Sequence, residues 1–306
     1  MHTTRVRIDF FALVVHTILL LGLFHGSGAS CQEQKAAEPQ PASTAQYVGS
    51  DTCKTCHEDL YKNNFERTPH FQTTLHDGHG CESCHGPGSA HAEAGGDVTK
   101  IVSFKTMPTQ KVNSLCLSCH GEKHEQRHFS ASVHAGSGIG CLDCHSPHHA
   151  HEAQHLLVRA QPDLCYGCHA SAKADFAKPY HHRVDEGLIR CSDCHNAHGT
   201  TTLRQVRAMP SGDAICVKCH AEKAGPFVYE HVPVKTEGCN SCHTPHGSTN
   251  PRYLRVSQVN LLCLQCHSFP AQGPAGPAHD QSAKYQACTM CHTQIHGSNA
   301  SSVFFR

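Results

Sequence analysis

A five-residue word, Cys-x-x-Cys-His, occurs ten times in this 306-residue chain and consumes twenty of its twenty-one cysteines. The cysteines are Cys53 and Cys56, Cys81 and Cys84, Cys116 and Cys119, Cys141 and Cys144, Cys165 and Cys168, Cys191 and Cys194, Cys216 and Cys219, Cys239 and Cys242, Cys263 and Cys266, and Cys288 and Cys291. Each second cysteine is followed at once by a histidine: His57, His85, His120, His145, His169, His195, His220, His243, His267 and His292. This spacing attaches c-type haem. The two thiols add to the vinyl groups as thioethers, and the adjacent histidine is held against the iron as the proximal axial ligand. Ten intact copies imply ten covalently bound haems c.

Zinc ribbons and thioredoxin-like centres also use Cys-x-x-Cys. Zinc, however, needs four ligands per site from paired knuckles and has no use for a histidine after every second cysteine. Thiols spent on thioethers cannot form disulfides, so the cysteine richness says nothing about disulfide staples.

With 38% hydrophobic residues, several of them bonded cysteines, and no tryptophan, protein alone would pack poorly. The haem macrocycles must be the apolar interior. Motif starts every 25 residues or so, in a chain with 24 glycines and 16 prolines, leave little room for long elements. The expected fold is therefore a multihaem cytochrome c: haem-packed, elongated, mostly loops with short α-helices, and little or no sheet. Helices are expected before Cys116 and over residues 170–177, and a loop at 269–278 (FPAQGPAGPA). Formal charge is zero with histidine neutral, before the propionates of the haems are added. Basic residues are dispersed and do not interleave with aromatics, which argues against nucleic acid.

The N-terminus carries Arg5 and Arg7, an apolar run from Phe10 to Phe24, and small residues from Gly26 to Ser30, the layout of a secretory signal over residues 1–30. The run is short for a membrane span, which needs about 20 residues. Cys31 stands where a relaxed lipoprotein signal would place its lipidated cysteine, although the usual leucine three positions upstream is missing; ordinary cleavage after Ser30 fits as well. Residues 31–46, rich in Gln, Ala and Pro, read as a flexible tether, and 47–306 as the decahaem domain, periplasmic and associated with the outer membrane.

The repeat is a pair of motifs, five times over. The second motif of each pair is preceded by one histidine and closely followed by another: His70 and His91, His134 and His148, His182 and His198, His231 and His246, His279 and His296. Ten proximal and ten further histidines would give every iron two imidazoles and leave no open position for a substrate. That saturation points to electron transfer rather than catalysis, at potentials lower than methionine ligation would set. In CLDCHSPH, CSDCHNAH and CNSCHTPH the two histidines are three residues apart, a span of at most about 10–11 Å. Hence His148, His198 and His246 are expected to serve a neighbouring haem. The other histidines of the mature region, His76, His79, His124, His128, His149, His151, His155 and His181, read as surface residues or propionate partners; His181 beside His182 and His149 beside His148 are adjacent alternatives.

The phrases CSDCHNAHG, CHAEKAGPFVYEHVPV leading into CNSCHTPHGS, and CHTQIHGSN resemble the periplasmic decahaem cytochromes of the MtrA/DmsE type, with the likeness covering about residues 47–306. That resemblance implies bis-histidine ligation with the same ten distal histidines, a roughly linear haem chain, and a position in an outer-membrane β-barrel porin. Its implied partners are periplasmic electron carriers and an extracellular multihaem cytochrome or reductase. A polar lumen suits a chain whose mature part has no apolar span. Competing expectations are a multihaem reductase of the nitrite or hydroxylamine type, for which no Cys-x-x-Cys-Lys is present, and an extracellular cytochrome filament.

Overall fold

A computed structural model describes residues 45–63, 65–76, 78–152, 155–209, 214–268, 279 and 286–305. The leader, Cys31, the tether as far as residue 44 and the stretch 269–278 lie outside the described residues. Thr44–Arg306 forms a unit by itself.

The attachment word shapes its own local structure. In nine motifs the histidine N–H donates to the carbonyl of the first cysteine at 2.9–3.2 Å, and the remaining one, Cys116–His120, is the last turn of the helix Thr109–His120. One such turn sets positions i, i+3 and i+4 on one face, so both thiols and the imidazole point to the same side. Asp143 and Asp193, inside two motifs, fold back to accept the N–H of Gly140 (2.7 Å) and Arg190 (2.8 Å), closing the turn from within.

Elsewhere the elements are short, as expected: Thr109–His120 is twelve residues long and Ala170–Phe176 seven. Among the described residues β-pairing is confined to isolated bridges, such as Tyr180 with Ser248 and Tyr229 with Ser298. No helix is long and apolar enough to cross a membrane among the described residues.

Paired motifs are tied by a side chain lying just before the first of them. Ser50 accepts the N–H of Cys81 (3.1 Å), Asn113 that of Cys141 (2.9 Å), and Gln161 that of Ser192 (3.1 Å). In the first pair Glu82, only 2% exposed, adds a stronger knot by accepting the N–H groups of Val48 (3.0 Å), Gly49 (2.8 Å) and Gly88 (2.7 Å). Among the described residues the buried apolar side chains are few: Val112, Phe129, Leu156, Leu157, Phe176 and Val184. So thin a core cannot offset the conformational entropy of a chain this long. The interior is haem-packed, and the repeated two-haem unit is its building block.

Candidate haem sites

All twenty motif cysteines are half-buried or exposed, within reach of a group bound alongside them. The first cysteines of paired motifs lie against each other. Contact with Cys141 pushes the Cys116 thiol up, and Cys191 and Cys239 do the same to Cys165 and Cys216. Burial first, then Cys81 and Cys288, raise Cys53 and Cys263 to about 11. Attachment points within each pair are thus neighbours.

The histidines meet two at a time. Each proximal ring faces one of the ten further histidines: His57 faces His91, His85 His148, His120 His70, His145 His198 and His169 His134. In the second half His195 faces His246, His220 His182, His243 His296, His267 His231 and His292 His279. Ring centres are 5.9–6.4 Å apart in every case. Two metal–nitrogen bonds of about 2 Å, with about 1 Å more from each nitrogen to its ring centre, require this separation. Each facing pair therefore fits one six-coordinate iron.

Partner choice follows a rule. His148, His198, His246 and His296 each face the proximal ring two motifs earlier rather than the one beside them in sequence. In the opposite direction His70, His134, His182 and His231 each face the ring of the next motif but one. The ends close locally: His91 faces His57, and His279 faces His292. Of the adjacent histidines, His181 bonds the Lys178 carbonyl and Glu186 (3.3 Å) while His182 faces His220.

The other ring nitrogen is also placed. His85, His145, His195, His243 and His292 donate Nδ1–H to the carbonyls of Val102 (2.9 Å), His155 (2.7 Å), Arg204 (3.1 Å), Arg252 (2.8 Å) and Val303 (2.5 Å). His91, His134 and His182 donate to Asp97 (2.9 Å), Ala197 (2.8 Å) and Pro245 (2.6 Å), and His231 bonds the Ile295 backbone. Such bonds fix the tautomer that leaves Nε2 free for a metal and make it a stronger donor. Burial keeps the rings neutral as well, lowering His70, His145, His148, His231 and His246 and bringing His198 and His296 down to about 4.

Sequence reading missed these carbonyl acceptors, which have no side-chain signature, and also Glu82. The usable signal was the His-Gly dipeptide at 198–199, 246–247 and 296–297. A Cβ on Gly199, Gly247 or Gly297 would lie 2.8 Å from the His128 carbonyl oxygen, 2.0 Å from that of Asp175, or 2.1 Å from the Phe227 ring.

Single-turn attachment words that aim two cysteines and a histidine to one side, with imidazoles facing in pairs, define a c-type cytochrome with covalently bound haem. A family model described as a doubled CXXCH motif matches residues 133–174, 181–225 and 231–272. Each match encloses one facing pair, His134 with His169, His182 with His220, or His231 with His267. The chain is 35% identical over 272 residues to the multiheme cytochrome MtrA of Shewanella baltica, covering 82% of this chain and 79% of that protein. It is also 32% identical over 101 residues to the cytochrome c-type protein NrfB of Escherichia coli, 31% of this chain and 51% of that protein. The chain belongs to the MtrA-like multihaem c-type cytochromes, and its function is electron transfer.

Proposed function

We propose that the chain carries ten haems, each held between two histidines, and conducts electrons across the outer membrane as the cytochrome of a porin–cytochrome conduit. It links periplasmic electron carriers to an extracellular acceptor or donor. The observation that carries this reading is the facing of every proximal ring by a second imidazole. An iron held on both sides offers no place for a substrate, and haem supplies only one-electron chemistry there. The chain's own part is positional: the single-turn words aim thiols and imidazole, and the carbonyls hold the rings. Neighbouring first cysteines within pairs, and histidines exchanged across two motifs, keep successive sites adjacent.

Similarity to MtrA over most of the chain supports the conduit, as do a leader-like N-terminus and Cys31 for export and attachment at the outer membrane. Detergent extraction should bring the protein out with an outer-membrane β-barrel, and the intact mass should include ten haems. Recovery free of any barrel, with carbon monoxide binding to the reduced protein, would instead favour a reductase; filaments in electron micrographs would favour an extracellular polymer.

A further inference from the structure

Nine of the ten facing pairs have one ring tied through Nδ1 to a backbone carbonyl or, for His279, stand at the end of the array with His292 tied. The pair His70–His120 differs. His70 Nδ1 is buried with no hydrogen-bond partner, and none is described for Nδ1 of His120.

The cause is legible one residue beyond the facing histidine of the neighbouring site. At His198-Gly199 and His246-Gly247 the missing Cβ lets the backbone close on the segment before His134 and His182. The carbonyls of Ala197 and Pro245, just ahead of those histidines, then reach Nδ1 of His134 and His182. The corresponding words at the first junction read Ser-Pro-His148-His149. A side chain stands where the others have glycine, no equivalent approach is described, and the carbonyl of Pro147 does not accept from His70.

Resting on the bis-histidine reading above, we infer that His149 leaves the His70–His120 haem with the weakest imidazole donation in the array, and so with a higher reduction potential than its neighbours. Removing a carbonyl from Nδ1 reduces the imidazolate character of the ring. Ferric iron is then stabilised less, which raises the potential. His149 is a positioning residue here: it acts through the backbone on His70. An electron passing along the chain finds a resting place at the third motif.

The geometry supplies a spectroscopic handle. The ring planes of His70 and His120 cross at 83°, and those of His134 and His169 at 80°, whereas the remaining pairs lie between 13° and 59°. Low-spin ferric haem with crossed imidazole planes gives a highly anisotropic electron paramagnetic resonance signal, distinct from that of parallel planes. Redox titration of the full-length haem-loaded protein followed by this resonance should resolve two such components. The one at higher potential belongs to His70–His120. In His149→Gly that component moves to lower potential, by about tenfold in its reduction equilibrium, or about 59 mV for one electron. Gly199→Ala is the reciprocal test. Forcing the backbone from the His128 carbonyl frees His134, and the other crossed-plane component moves up by a similar amount. Components that titrate together, or that neither substitution moves, overturn the inference while leaving the ligation intact. Fewer than ten haems by mass, or no crossed-plane signal, overturns the ligation and the inference together.

Discussion

The ends of the histidine array are built differently from its interior. Interior sites borrow: His198 sits beside His195 in sequence yet faces His145, while His134 reaches forward to His169. End sites are closed from nearby, with His91 in the same pair of motifs as His57 and His279 in the same pair as His292. An exchange rule that spans two motifs has no donor left at either terminus, so each end needs a local histidine to complete it. On the ligation proposed above, interior imidazoles do two jobs, holding iron and fastening one repeat to another, whereas end imidazoles do only the first.

The sharpest break of this comparison is His198→Ala set against His91→Ala. Either variant should convert one haem from low to high spin, visible in the optical spectrum. The interior variant should also lose about 3 kcal/mol of stability to denaturant, because the half-buried ring lies against Phe129 and joins distant segments. The end variant should lose clearly less. Equal losses would mean that the borrowed histidines fasten nothing.

How far this could be read in advance depended on where the information sits. Fold class and the facing set were legible because the attachment word is covalent chemistry written in five residues, and because the surplus histidines recur in step with it. The reach argument keeps His148 and His145 from sharing an iron in so short a span, and the two rings face different partners, His85 and His198. Which ring faces which was not legible, since that is fixed by contacts between segments far apart in the chain. His182 could not be told from His181 by pattern, because no helical or strand period runs through that coil; the choice is made by Glu186 and the Lys178 carbonyl holding His181. The Nδ1 acceptors are backbone and carry no residue code, apart from the glycine that permits the approach.

A smaller effect sharpens the same comparison through the ties between paired motifs. At the front end Glu82 accepts three backbone N–H groups while almost fully buried, whereas the interior tie of Asn113 serves one. Glu82→Gln turns part of an acceptor into a donor facing N–H groups and should cost about 2 kcal/mol; Asn113→Ala should cost about 1 kcal/mol. Urea denaturation of the two variants under one set of conditions compares them. The end, lacking an exchanged partner on its outer side, is expected to rely more on this local knot.

The weakest expected effect concerns the interior alone. Arg207 reaches across to Glu125 with two contacts, 2.9 and 3.1 Å, joining the segment after one attachment site to a segment near an earlier one. The guanidinium holds the Glu125 carboxyl below its ordinary 4.5, first through the hydrogen bond and then by charge. A carboxyl lowered on folding contributes stability that is present above its unfolded value and is lost as pH falls through its folded value. Because Glu125 remains 46% exposed, solvent screens the pair and the contribution should stay below about 1 kcal/mol. Glu125→Gln should therefore be slightly less stable than the parent protein at pH 7, with the difference disappearing as pH falls below the ordinary carboxylate range. Salt should shrink it too. A gap that persisted undiminished into acid would show that the bridge works through packing rather than charge, and the interior fastening would then rest on the exchanged histidines and the glycine contacts beside them.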